Sequence, residues 1–219
     1  MSLVELIGRA DERGLAASGL ACLDRCVSLL GGDDEVLRPL WAGLADDAGA
    51  AEWGERLEQV RGKLGGEFGA ADGGDGASDA GGSGDFSRSG ADSDSGSGSG
   101  SESGEDEAVL LARRMLAAAP VERSAAGLRV WADACSIAAL RIHRLLDPLK
   151  DAGDSVDARR EGRTEGMSPL VAAELRRQIT VLELLAGHGP AGLRPALEVS
   201  TEGRRVLRAV VSRRSRRRG

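Results

Sequence analysis

The chain has no tyrosine and no asparagine, only two phenylalanines and three tryptophans, and just two lysines, Lys63 and Lys150, among 29 basic residues. So few aromatic rings leave little surface for stacking nucleic-acid bases. Alanine, glycine and arginine have GC-rich codons and lysine, asparagine and tyrosine do not, so a GC-rich genome accounts for much of this skew. It also weakens any argument from arginine standing in for lysine. No run approaches the roughly 18 consecutive apolar residues of a membrane span. Met1-Ser2-Leu3-Val4-Glu5 lacks the basic start and apolar run of a secretory signal. Three cysteines, Cys22, Cys26 and Cys135, are too few and odd in number for a disulfide framework, which points to a reducing compartment. The expectation is a bacterial cytoplasmic protein without a membrane segment.

Charge and glycine are abundant but unevenly placed. The net charge of −6 divides into −6 over residues 1–70, −9 over 71–107 and +9 over 108–219. The middle is nearly all Gly, Ser, Asp and Ala, and residues 95–101 alternate Ser and Gly. Such a stretch has too little to bury to offset its ordering entropy, so residues 67–104 are expected to be a disordered acidic linker. The remainder divides into an N-terminal helical module (1–66), a C-terminal helical module (105–199) and an Arg-rich helix and tail (200–219). The first piece is small and marginal alone. The two modules can sit apart or fold back on each other.

Apolar spacing is helical on both sides of the linker. Ser2-Leu3-Val4-Glu5 is a capping-box pattern opening a first helix that Gly14 ends. A second, over 15–30, carries two adjacent apolar seams and stops at Gly31-Gly32. A third carries Val36, Leu37, Leu40, Trp41 and Leu44. A fourth carries Trp53, Leu57, Val60 and Leu64. The two hairpins start about 33 residues apart, and Trp41-Ala42-Gly43-Leu44 resembles the opening of a tetratricopeptide repeat. The rest of that consensus is missing, and the plainer reading is a four-helix bundle. After the linker come a helix through Val109 and Leu116, a long one ending near Leu146, a charged loop at 150–166, and a helix opened by Ser168-Pro169. Leu193 to Val199 reads as a short strand or extended stretch, and Thr201-Glu202-Gly203 opens a last helix. The fold class is all-α.

Candidate chemistry is sparse. Cys22 and Cys26, one turn apart, suit two ligands of a metal, but both lie on an apolar seam and read as core. His143 with Asp147 four residues on suits an oriented imidazole, or equally a surface contact at a helix end. Gly62-Lys63 lacks the glycine and hydroxyl of a phosphate loop. No catalytic, cofactor or metal residue is assigned. The strongest signal is basic: Arg204, Arg205, Arg208, Arg213, Arg214, Arg216, Arg217 and Arg218 follow Gly203 with no acid among them. Such an end can contact phosphate backbones or an acidic protein surface.

The segment Leu197-Glu198-Val199-Ser200-Thr201-Glu202-Gly203-Arg204-Arg205-Val206-Leu207 resembles the end of a winged helix-turn-helix domain. That resemblance implies a wing strand running into the last helix, residues 169–186 as the helix before the wing, and DNA as ligand. The charged loop at 150–166 departs from the pattern. The leading expectation is therefore a non-enzymatic regulatory or adaptor protein that binds a protein partner through the N-terminal bundle and the long helix at 121–146. The alternative is a DNA-binding regulator using the C-terminal region.

Overall fold

In the computed structural model, the residues described are 1–45, 49–65, 99–149 and 155–216. All regular structure among them is helical: α1 (Leu3–Arg9), α2 (Glu12–Cys26), a 3-10 turn (Val27–Leu30), α3 (Arg38–Ala45), α4 (Gly49–Gly65), α5 (Ser99–Ala117), α6 (Ala125–Leu146), α7 (Val156–Arg160), α8 (Pro169–His188), a 3-10 turn (Gly189–Gly192) and α9 (Leu193–Arg216). The all-α expectation holds. Most of the expected linker, residues 66–98, lies outside the described residues, while Ser99 to Gly104 already belong to α5.

Several helix ends follow their caps. Ser2 and Glu5 form the reciprocal capping box. The first helix nonetheless ends at Arg9, because Asp11 opens the second: its carboxylate accepts the Gly14 N–H at 2.7 Å. Ser124 caps α6 through the Gly127 N–H. At α8, Ser168-Pro169 stands where the sequence places it, but the Ser168 side chain makes no cap bond. Asp147 Oδ2, from the end of α6, accepts the Leu170 N–H at 3.0 Å instead.

The charged stretch at 150–166 was expected to be a loop. It contains α7, opened by Ser155 accepting from Ala158 N, with Arg159 and Arg160 buried. Nor is Leu193–Val199 extended. It is the first half of α9, whose inward residues Leu193, Ala196, Ser200, Gly203, Arg204 and Leu207 recur every three or four positions. The wing strand implied by the winged-helix likeness is therefore absent, replaced by one 24-residue helix.

Helices from both sides of 66–98 share one hydrophobic core. α2 is its axis and packs on α6, α8 and α9 as well as on α3. Every α2 residue from Gly14 to Cys26 is buried, as the two adjacent seams imply. α3 pairs with α4 as a hairpin, whereas α1 lies against α6 and α8. Trp53 of α4 meets Trp131 of α6 edge to face, with centroids 6.2 Å apart. Their indoles donate to Pro120 O and Met115 O at 2.8 and 2.9 Å. Gly19 lets α2 approach this pair closely, since a Cβ there would lie 2.6 Å from the Trp131 ring.

Candidate functional site

The core holds an unusual concentration of polar side chains. Arg25 (α2) and Glu174 (α8), both fully buried, form a two-pronged pair: Nε and Nη2 donate to the two carboxylate oxygens at 2.8 and 2.7 Å. Gln178, one turn along α8, donates to Glu174 Oε1 at 2.8 Å. Its own amide oxygen accepts from Ser136 of α6 at 2.7 Å, and Ser136 in turn accepts from Arg160 of α7 at 3.1 Å. Arg160 also pairs with Asp133. Four helices are thus joined by one buried chain of hydrogen bonds.

His143 belongs to this cluster. The sequence paired it with Asp147, as an oriented imidazole or as a surface contact; it is fully buried, and Asp147 caps α8 instead. Its Nδ1 lies 2.7 Å from Ala139 O. A carbonyl can only accept, so Nδ1 carries a proton, and Nε2 faces Glu174 Oε2, 3.4 Å away. Burial lowers the His143 pKa, against the pull of Glu174. Burial acts to raise Glu174, but Arg25 and His143 outweigh it and hold the carboxyl below its usual range. Asp133 is its half-exposed end; the other members are buried, and the centre ties the helices together.

Apart from His143, none of its members stood out in the sequence, and Arg160 falls in the stretch expected to be a loop; the signal that could have found the α6 and α8 members is their spacing. Ala132, Ser136, Ala139, His143 and Leu146 make a second inward seam on α6, and Val171, Glu174, Gln178, Val181 and Leu185 make one on α8. The 3–4 spacing is complete, but polar residues interrupt it.

Cys22, Cys26 and Cys135 are buried free thiols at the contact of α2 and α6, which agrees with the core reading. Burial pushes Cys22 up to about 12 and raises the other two well above the usual thiol value, so none is a thiolate near neutral pH. Among the described residues no group of three His, Cys, Asp or Glu is placed to hold a metal.

The arginines singled out at the C-terminus divide by position. Arg204 is buried, its Nη1 2.6 Å from Asp24 Oδ1 and its Nε 3.1 Å from Asp34 Oδ1. Arg208 pairs with the same Asp34 at 2.8 Å. Arg214 pairs with Glu105 at 3.1 Å and donates to the last carbonyls of α6, Leu145 O and Leu146 O. Arg205, Arg213 and Arg216 are exposed, and Arg217 and Arg218 lie outside the described residues.

On the outside, α6 presents an apolar line. Val130, in mid-helix, is 72% exposed. Ala126 and Ala134, one turn to either side, are exposed too, and Ile137 continues the line half-buried. The charges flanking it are engaged within the chain: Arg129 donates to Ile7 O and Gly8 O, and Asp133 holds Arg160. A shallow groove of about 830 Å³ opens beside the start of α6, lined by Gly54, Glu55, Glu58, Gln59, Val121, Glu122 and Arg123.

Among known proteins, no family model matches the chain. No curated protein and no solved structure matches it either. No helix of the described residues is long and apolar enough to cross a membrane.

Proposed function

We propose that the protein is a non-enzymatic, helical regulatory or adaptor protein of the bacterial cytoplasm, working through protein contacts made by the outer face of α6. The observation that carries this reading is the uncharged line Ala126, Val130, Ala134 and Ile137. Single exposed apolar residues are ordinary on any surface. Successive ones at offsets of four, four and three on a 22-residue helix form a seam suited to another helix. Arg129 and Asp133, beside the seam, already have partners inside the chain, which lowers the cost of covering them.

The test is capture of partners from the source cell by the full chain and by Val130→Glu. Val130 is mostly solvated, so the variant should keep its circular dichroism and melting temperature while losing the captured partner. Undiminished capture by a folded Val130→Glu would overturn the reading.

A second reading draws on Arg205, Arg213 and Arg216, exposed on α9 with no acid after Glu202. It is a weak, sequence-independent contact with a nucleic-acid backbone. Its signature is a steep loss of DNA affinity with salt, reduced in an Arg205/Arg213/Arg216→Gln triple variant. Arg204, Arg208 and Arg214 are held by acids within the chain, which leaves them out of this reading.

A further inference from the structure

A groove of about 610 Å³ runs between α8 and α9, and its two walls carry opposite charge. The 3-10 turn Gly189–Gly192 folds α9 back along α8, so that Gly192 abuts Leu184 and Gly203 abuts Arg177. Near the turn the lining is apolar: Leu184 of α8, with Pro195 and Val199 of α9. Farther from it, Arg176 and Arg177 on α8 stand against Glu198 and Glu202 on α9. The volume lies within the roughly 300–1,000 Å³ of small-molecule sites.

The charged end lacks one negative partner. A Cβ on Gly203 would lie 2.3 Å from Cδ of Arg25 and 3.0 Å from Cδ of Arg177, so these two arginines run side by side. Glu174 neutralises Arg25. Arg177 forms no ion pair among the described residues, and its Nη1 is buried without a hydrogen-bond partner, as is Nη1 of Arg25. Buried N–H groups are nearly always paired. Burial acts to lower the Arg177 pKa against the pull of Glu174, and the neighbouring Arg25 and Arg176 add to the lowering. Glu202 attracts Arg177 across the groove without pairing with it, while Glu198 is held by Arg194 at 3.4 Å. A carboxylate suits the planar fork of Arg177. A bare anion there would also face Glu202, whereas a ligand with a cation beside its carboxylate satisfies both walls.

We infer that the α8–α9 groove binds a small zwitterion with an apolar side chain, an apolar α-amino acid. Its carboxylate lies on Arg177, its ammonium toward Glu202, and its side chain over Leu184, Pro195 and Val199. The site stands on residues of α8 and α9 and is independent of the reading of α6 as a contact surface.

The experiment is isothermal titration calorimetry of the full chain with three probes: L-leucine, L-leucinamide, which lacks the carboxylate, and 4-methylpentanoate, which lacks the ammonium. Leucine should bind saturably below about 10 mM, and the other two at least about tenfold more weakly. Arg177→Gln should weaken leucine at least about tenfold while keeping its melting temperature, because the lost charge sits beside Arg25 with no ion pair of its own. Glu202 is exposed, so Glu202→Gln keeps the fold. It should weaken leucine and strengthen 4-methylpentanoate, since the acid that repels the bare anion is gone. No saturable binding of leucine, or leucine binding unchanged in a folded Arg177→Gln, would overturn the inference. Equal affinity for leucine and 4-methylpentanoate would overturn it too, in favour of a plain anion contact.

Discussion

Taking the carboxylate away from Glu174 strands Arg25 in a site with no solvent access, and Gln178 and His143 lose a neighbour with it. Breaking a buried ion pair on one side is far more damaging than replacing both partners, because the remaining charge is left uncompensated. Glu174→Ala should therefore destabilise the fold by about 3–5 kcal/mol in urea unfolding, and Arg25→Met with Glu174→Leu by clearly less. A loss no larger than that of a surface substitution would mean that water reaches the cluster. Asp24 gives a pH signature of its own. Its side chain is 1% exposed, and Oδ2 has no hydrogen-bond partner. Burial pushes its pKa up to about 6, against the pull of Arg204 and Arg25. The folded state thus holds this proton more tightly than the unfolded chain does. The stabilisation Asp24 contributes is complete below about pH 4 and is lost as pH rises through about 6. Glu174 and His143, both lowered, act in the opposite direction. The difference between the unaltered chain and Asp24→Asn isolates the effect: from pH 7 to 4.5 the unaltered chain should gain stability relative to the variant. A flat difference across that range would show that Asp24 does not titrate there.

Helices whose inward faces are hydrocarbon were legible in the sequence, and those whose inward faces are small or polar were not. α2 and α4 carry Leu, Val, Trp and Cys at helical spacing, and the structure puts those residues in the core. α9 buries Ala196, Ser200, Gly203 and Arg204 between Leu193 and Leu207, so its period is carried by residues that hydrophobicity does not mark. Meanwhile Val199 and Thr201 are β-branched, which favours a strand when local propensity is read alone. Packing decides for the helix: Gly203 lets α9 close over the Arg25 side chain, and Arg204 reaches Asp24 across the same contact. α7 was missed for a related reason. Its five residues include two arginines whose burial depends on Ser136, Asp133 and nearby carbonyls, partners that lie far off or in an irregular turn. The α6 face shows the reverse case. Its helix was plain from sequence, but which residues stay on its exposed side is shown only by the structure.

At the scale of the molecule, α2 explains why the two ends of the chain belong together. A helix buried on every side from Gly14 to Cys26 needs neighbours all round it. Within residues 1–65 the helix that packs on it is α3; α6, α8 and α9 supply most of the rest. The sequence announced two seams on α2, yet nothing in their composition said which helices would cover them, and both a separated and a folded-back arrangement remained open. The structure takes the second, adding Trp53 to Trp131 and Arg25 to Glu174 as contacts across the two segments. A fragment of residues 1–65 alone would leave α2 with its main face and Arg25 uncovered, and 65 residues bury too little surface to offset that. It should show weak helicity and a broad, non-cooperative thermal transition. Mixed with a fragment of residues 99–219, it should regain helicity at equal stoichiometry and melt in one transition. Glu174→Ala in the larger fragment should weaken that association. A sharp cooperative melt for residues 1–65 alone, unchanged by the second fragment, would mean that the N-terminal helices form a core of their own and that α2 does not depend on the helices beyond residue 98.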